Sequence, residues 1–110
     1  MRLTKRPWGS FIKFVSNKKC TVKLLQIKAG QELSLQIHKK RDETWYFLDA
    51  AKVQLGEKKF KVKKGSLIKV PRKTPHRIIS LKKDARVLEI SFGKFEEKDE
   101  IRLEDKYGRK

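Results

Sequence analysis

Apolar residues recur at alternate positions through most of this chain, and almost nowhere at the three-to-four spacing of an amphipathic helix. Residues 32–38 show the pattern most clearly: Leu33, Leu35 and Ile37 fall on one face of a strand, Ser34, Gln36 and His38 on the other. The same period predicts a strand from Ser10 to Ser16, a turn at Asn17-Lys18-Lys19, and a strand from Cys20 to Ala29 that ends at Gly30. A turn over residues 39–42 then leads into a strand that begins at Glu43 and runs through Thr44 to Leu48 as a hairpin partner of the first motif. Residues 51–55 and 58–62 flank Gly56-Glu57 as a tight hairpin. A strand from Ser66 to Val70 is closed by Pro71, because proline offers no N–H to a ladder. Residues 76–81 and 85–92 are read as the last pair, joined by Lys82-Lys83-Asp84. Many short strands with turn signals between them predict an all-β barrel or sandwich, one domain over residues 1–110.

Two ends of the chain read differently. Pro7-Trp8-Gly9 is a turn whose indole is positioned to lid one end of a barrel. In the tail from Lys94 to Lys110, six acids balance six bases, so the formal charge of +17 resides in residues 1–93. There Asp99 is expected to cap a short helical turn through Ile101 to Asp105, the alternative being an extended or frayed end.

A charge of +17 is common in nucleic-acid binders. The lysines, however, alternate with apolar residues, as Lys59, Lys61 and Lys63 do around Phe60 and Val62, which is the look of a solvent-facing edge strand. No RNA- or DNA-binding motif accompanies them, so specific nucleic-acid binding is not expected. An anionic sugar phosphate would profit from the same field. No apolar run is long enough to span a membrane and no signal peptide is visible, which predicts a cytoplasmic protein without a membrane partner. The lone Cys20 has no cysteine to pair with.

Candidate chemistry centres on the chain's two histidines. Gln36 and His38 sit two apart on one strand wall, Glu43 opens the next strand, and His76 follows Pro75. Together they offer the mixed oxygen and nitrogen donors of one divalent ion, zinc first, with manganese, cobalt or another divalent metal as alternatives. Glu89 shares a strand face with Val87 and Ser91. An inward carboxylate there is a candidate catalytic base, a rim position being the plainer reading. Lys40, Arg41 and Lys73 flank the ligands as candidate phosphate contacts.

The spacing Gly30, five residues, Gln36-x-His38, four residues, Glu43, followed by Gly65, five residues, Pro71-x-Lys73, two residues, His76, resembles the two cupin motifs. With Arg6-Pro7-Trp8-Gly9-Ser10, Arg41-x-Glu43-x-Trp45, Thr74-Pro75-His76-Arg77 and Arg102-Leu103-Glu104-Asp105-x-Tyr107-Gly108-Arg109, the chain is similar to type II mannose-6-phosphate isomerases over nearly its whole length. In that family the domain is usually the C-terminal cupin of an enzyme that also carries a mannose-1-phosphate guanylyltransferase. The resemblance implies a cupin jelly roll, a double-stranded β-helix, interconverting mannose 6-phosphate and fructose 6-phosphate. It also implies a homodimer, and it makes Arg109 a substrate or catalytic contact.

Four positions depart from the family: Lys39 and Lys40 where further histidines are usual, Ala50 for Gly, and Lys73 for Gly. They keep a second reading in play, a non-catalytic cupin that binds a sugar or sugar phosphate. A cupin using iron for oxygen chemistry ranks third, because Gln36 stands where that chemistry usually has histidine. No glycine-rich phosphate loop is present, so nucleotidyl transfer would fall to a separate nucleotidyltransferase partner.

Overall fold

Eleven strands and no helix make up the residues described by the computed structural model, which are 3–94, 96 and 98–109. β1 (Leu3–Arg6) and β2 (Gly9–Ile12) form a hairpin of their own. A four-stranded sheet has the order β3 (Cys20–Ile27), β10 (Ala85–Gly93), β5 (Arg41–Phe47), β8 (Leu67–Val70). A five-stranded sheet has the order β11 (Ile101–Glu104), β4 (Leu35–Ile37), β9 (His76–Ile79), β6 (Ala51–Leu55), β7 (Lys58–Val62). All pairings are antiparallel, and the alternation in sequence becomes alternation across the sheets. In β5, Arg41, Glu43, Trp45 and Phe47 turn inward; in β10, Ala85, Val87, Glu89 and Ser91 do. Trp45, Phe47, Val53, Ile78 and Val87 have no exposed surface and form the centre of the apolar core.

The fold departs from the sequence reading at six places, the last of them in the C-terminal segment. The strand expected from Ser10 is β2, which ends at Ile12, and residues 3–6 form its unforeseen partner. Trp8 lids nothing; it is 72% exposed and stacks on Phe11. The strand expected over 32–38 is continuous only across Leu35–Ile37, with Glu32 making a separate bridge to Ile79. β4 and β5 are not hairpin partners: they lie in different sheets. β9 and β10 are likewise separated, β9 pairing with β4 and β6 while β10 pairs with β3 and β5.

The expected helical turn at 101–105 is a strand. β11 lies on β4, with Ile101 opposite Ile37 and Arg102 opposite Gln36. A neighbouring strand edge satisfies its backbone, which outweighs the weak helix signal of a four-residue run. Asp99 caps no helix; its carboxylate accepts the backbone N–H groups of Lys39 and Lys40 at 2.9 and 2.8 Å, pinning the loop between His38 and Arg41. The lysines behave as expected: β7 is an edge strand, with Lys59 and Lys61 exposed and Val62 buried.

Candidate metal centre

The two sheets face each other, and the candidate ligands come from both. β4 delivers His38 just past its end and β9 begins at His76, with Gln36 and His76 directly opposite in register. Glu43 reaches in from β5 of the opposing sheet. Sheets packed about 10 Å apart leave room for side chains from each face to meet in the middle. His38, Glu43 and His76 are all buried, and one donor atom from each lies within 4.8 Å of the others.

Glu43 Oε1 is 3.2 Å from His76 Nε2 and 3.8 Å from His38 Nδ1. None of these three buried atoms has a hydrogen-bond partner. His76 Nδ1 donates to Thr74 O at 2.8 Å, which fixes a hydrogen there and turns Nε2 toward Glu43. Burial works against ionisation of Glu43, yet His76, His38 and Arg41 outweigh it and hold the carboxyl below its ordinary range. Burial lowers His38 to about 4, so its ring is neutral at physiological pH. An ionised carboxylate and two imidazoles, buried and converging with no hydrogen bond among these atoms, form a donor set that a divalent cation satisfies. Oxygen and nitrogen donors in this mixture suit zinc and its neighbours in the first transition row.

The other candidate residues divide between the cluster and its surroundings. Gln36 borders the cluster, its amide nitrogen donating to Ser34 Oγ at 2.6 Å. Arg41 is buried inside it: Nη2 donates to His38 Nε2 at 2.7 Å and Nε lies 3.6 Å from Glu43 Oε2. Lys40 is exposed and paired with Glu96. Lys73 is exposed, with its backbone N–H donating to His38 O at 2.7 Å and a φ of +63°. That left-handed turn is the one a glycine would normally make, and here a lysine makes it. Arg109 is exposed, bound to Asp105 and lying over the Tyr107 ring. Its pKa is raised chiefly by Asp105 and, more weakly, by Glu100.

Glu89 is buried beside the cluster rather than on the rim. Trp45 Nε1 donates to its Oε2 at 3.2 Å, and Trp45 also packs edge-on against His76 at 5.5 Å. Burial first, then the neighbouring Glu43 charge, push Glu89 up to about 7. Ser91, two residues on along the same face, donates to Glu43 Oε2 at 3.3 Å.

Three surrounding groups were not read from sequence. Asp99 pins the ligand loop, Glu100 Oε1 stands 4.0 Å from His38 Nε2, and Arg102 Nη2 holds Glu100 Oε2 at 2.7 Å. All three lie in or just before the segment expected to form a helical turn, and the partners of Asp99 and Glu100 lie some sixty residues away in the chain. A cavity of about 640 Å³ bordered by Leu48, Lys61, Leu81 and Lys83 opens where β5 has run on past the cluster, and it contains none of the ligands.

The family profile described as Mannose-6-phosphate isomerase C-terminal matches residues 2–105. The alginate biosynthesis protein AlgA of Pseudomonas aeruginosa is 34% identical over 107 residues, 94% of this chain and 22% of that protein. The mannose-1-phosphate guanylyltransferase ManC of Salmonella typhimurium is 30% identical over the same shares of the two chains. This chain therefore spans about a fifth of the length of the curated relatives it matches. Among solved structures, the cupin domain of Cnp3 from Schizosaccharomyces pombe superposes with a TM-score of 0.65 at 18% identity, covering 86% of this chain and 69% of that one. The fold is a cupin.

Proposed function

The chain belongs to the mannose-6-phosphate isomerase C-terminal family, and from that premise we propose that it is a metal-dependent isomerase interconverting mannose 6-phosphate and fructose 6-phosphate. The observation that carries the proposal is the buried His38–Glu43–His76 cluster with a protonatable carboxyl, Glu89, beside it. His38, Glu43 and His76 would hold the ion, with Gln36 at their border. A divalent ion there supplies Lewis acidity to a sugar carbonyl oxygen.

The residues of the chain do the rest. Aldose–ketose conversion moves a proton between adjacent carbons, which needs a carboxyl poised near neutrality. Glu89, at about 7, is so poised, and with Oε2 tied to the Trp45 indole it exchanges its proton through Oε1. Trp45, fully buried and packed edge-on against His76, shields one side of the site from water. Arg41 meets the anionic substrate from inside, Lys40 and Lys73 from the loops around the mouth, and Arg109 from the C-terminal segment.

A homodimer belongs to the same proposal. Trp8, Val22 and Leu24 are 72%, 56% and 51% exposed, an apolar surface that a second copy would cover. Light scattering at moderate salt, where charge repulsion is screened, should give twice the chain mass; a monomer at every concentration removes this part. Transfer of nucleotidyl groups is assigned to a separate nucleotidyltransferase.

The test is reconstitution with zinc, manganese or cobalt followed by a coupled assay. Wild type should bind one ion per chain and convert the sugar phosphate, and His76→Ala should do neither. The second reading, a cupin that binds a sugar phosphate without turning it over, is favoured by the Lys40 and Lys73 departures at the mouth. Calorimetric binding of mannose 6-phosphate by metal-loaded protein without turnover would establish it instead.

A further inference from the structure

Two groups stand at one nitrogen of His38. Arg41 Nη2 is 2.7 Å from Nε2, and a guanidinium can only donate, so in this arrangement Nε2 accepts. The proton of the neutral ring is then on Nδ1, the nitrogen that faces Glu43 Oε1 at 3.8 Å. His76 is set the opposite way round, with Nδ1 donating to Thr74 O and Nε2 facing Glu43. An ion held among Glu43 Oε1, His76 Nε2 and His38 Nδ1 requires the other His38 tautomer, because a ligating nitrogen carries no proton.

That tautomer places N–H at Nε2 and requires an acceptor there. Arg41 cannot serve. Among the described residues, a carboxylate stands close by: Glu100 Oε1 is 4.0 Å from Nε2, about 1 Å short of a hydrogen bond. Its position follows from the strand register. β11 sets Ile101 opposite Ile37 and Arg102 opposite Gln36, so Glu100 comes next to His38 at the end of the ladder. Arg102 Nη2 holds Glu100 Oε2 at 2.7 Å, which leaves Oε1 directed at the ring.

We propose that Glu100 is a positioning residue that accepts the Nε2 proton of His38, selects the tautomer in which His38 binds the divalent ion, and releases Arg41 from that nitrogen to meet the substrate. The inference rests on the metal centre proposed above. A metal-bound histidine held by an outer carboxylate in this way loses roughly 10- to 100-fold in metal affinity when the carboxylate is removed.

The experiment uses the full chain labelled with nitrogen-15, whose only histidines are His38 and His76. Ring-nitrogen spectra should show His38 with its proton on Nδ1 in metal-free protein and on Nε2 after zinc is added. Zinc titration against a chromophoric chelator should give one ion per chain in wild type. Glu100→Ala should bind the same single ion about 10- to 100-fold more weakly, and Glu100→Gln, whose amide oxygen can still accept, should recover most of the loss. Zinc on His38 Nε2, or Glu100→Ala within about twofold of wild type, overturns the inference and leaves the metal centre standing. Wild type that takes up no zinc overturns both. Should Glu100→Ala fail to fold, the wild-type tautomer and the Glu100→Gln affinity still decide.

Discussion

Glu43 and Glu89 lie on neighbouring strands, close enough for the charge of one to act on the other, yet their surroundings move their proton affinities in opposite directions. Both are buried. Glu43 faces two imidazoles and a guanidinium and stays ionised, whereas Glu89 faces an indole N–H and the Glu43 charge and keeps its proton to about 7. One carboxylate is thereby suited to hold a cation and the other to pass a proton, a division set by environment alone.

That division has a measurable cost in metal-free protein. Between pH 4.5 and about 7 folded Glu89 holds a proton that unfolded Glu89 releases, so its contribution to stability falls as pH rises through this window. The full penalty above pH 7 is about 3 kcal/mol. Glu89→Gln removes it, so the variant should exceed wild type in denaturant melts at pH 8 by up to about 3 kcal/mol and match it near pH 4. His38, lowered to about 4 by burial, acts in both proteins and cancels in the difference. An equal difference at both pH values would show that Glu89 is not held protonated. In the metal-loaded enzyme the same change should lower kcat roughly 100-fold or more without altering metal content.

Lys73 is one of two non-glycine residues with positive φ among those described, the other being Asn17. Lysine in that region costs about 1 kcal/mol, partly offset by the greater freedom glycine gives the unfolded chain. Lys73→Gly should therefore raise stability by about 0.5 kcal/mol while keeping the backbone bond to His38 O. If the ammonium group meets the phosphate, KM rises several-fold with kcat unchanged. An unchanged KM removes Lys73 from the binding set.

The C-terminal segment is joined to the metal centre by a strand pairing rather than lying over it as a loose tail. Truncation after Glu100 removes β11, unpairs the ligand strand β4 and frees Glu100 from Arg102. The shortened chain should keep its core, whose residues all lie upstream, but melt several degrees lower and bind zinc at least about tenfold more weakly. Full zinc affinity with lost turnover would instead confine the segment to substrate contact.

What could be read from the sequence was local. Alternation in 32–38 and the placement of Glu43 and His76 indicated which side chains carry lone pairs, and the structure brings His38, Glu43 and His76 together. The hairpin of β6 and β7 was legible because Gly56 and its turn are contiguous with both strands. Which strands pair across the fold was not legible. β4 and β5 follow one another in sequence and so read as a hairpin, but the chain crosses between sheets there, and Glu43 meets the histidines across the sandwich. For β11 the signal was misleading: a short charged run after Asp99 resembles a capped turn, and only the edge of β4, more than sixty residues earlier, makes it a strand. Glu100 left no local mark, since its importance lies in standing next to His38.

The most direct test of the account is to follow mannose 6-phosphate by proton NMR in deuterated water with zinc- or manganese-loaded protein. Fructose 6-phosphate should accumulate with solvent deuterium at the carbon that receives the proton, a chelator should stop the reaction, and Glu89→Gln should nearly abolish it. Folded, metal-loaded protein that binds the sugar phosphate while its spectrum stays unchanged would contradict the isomerase and leave a binding protein in its place.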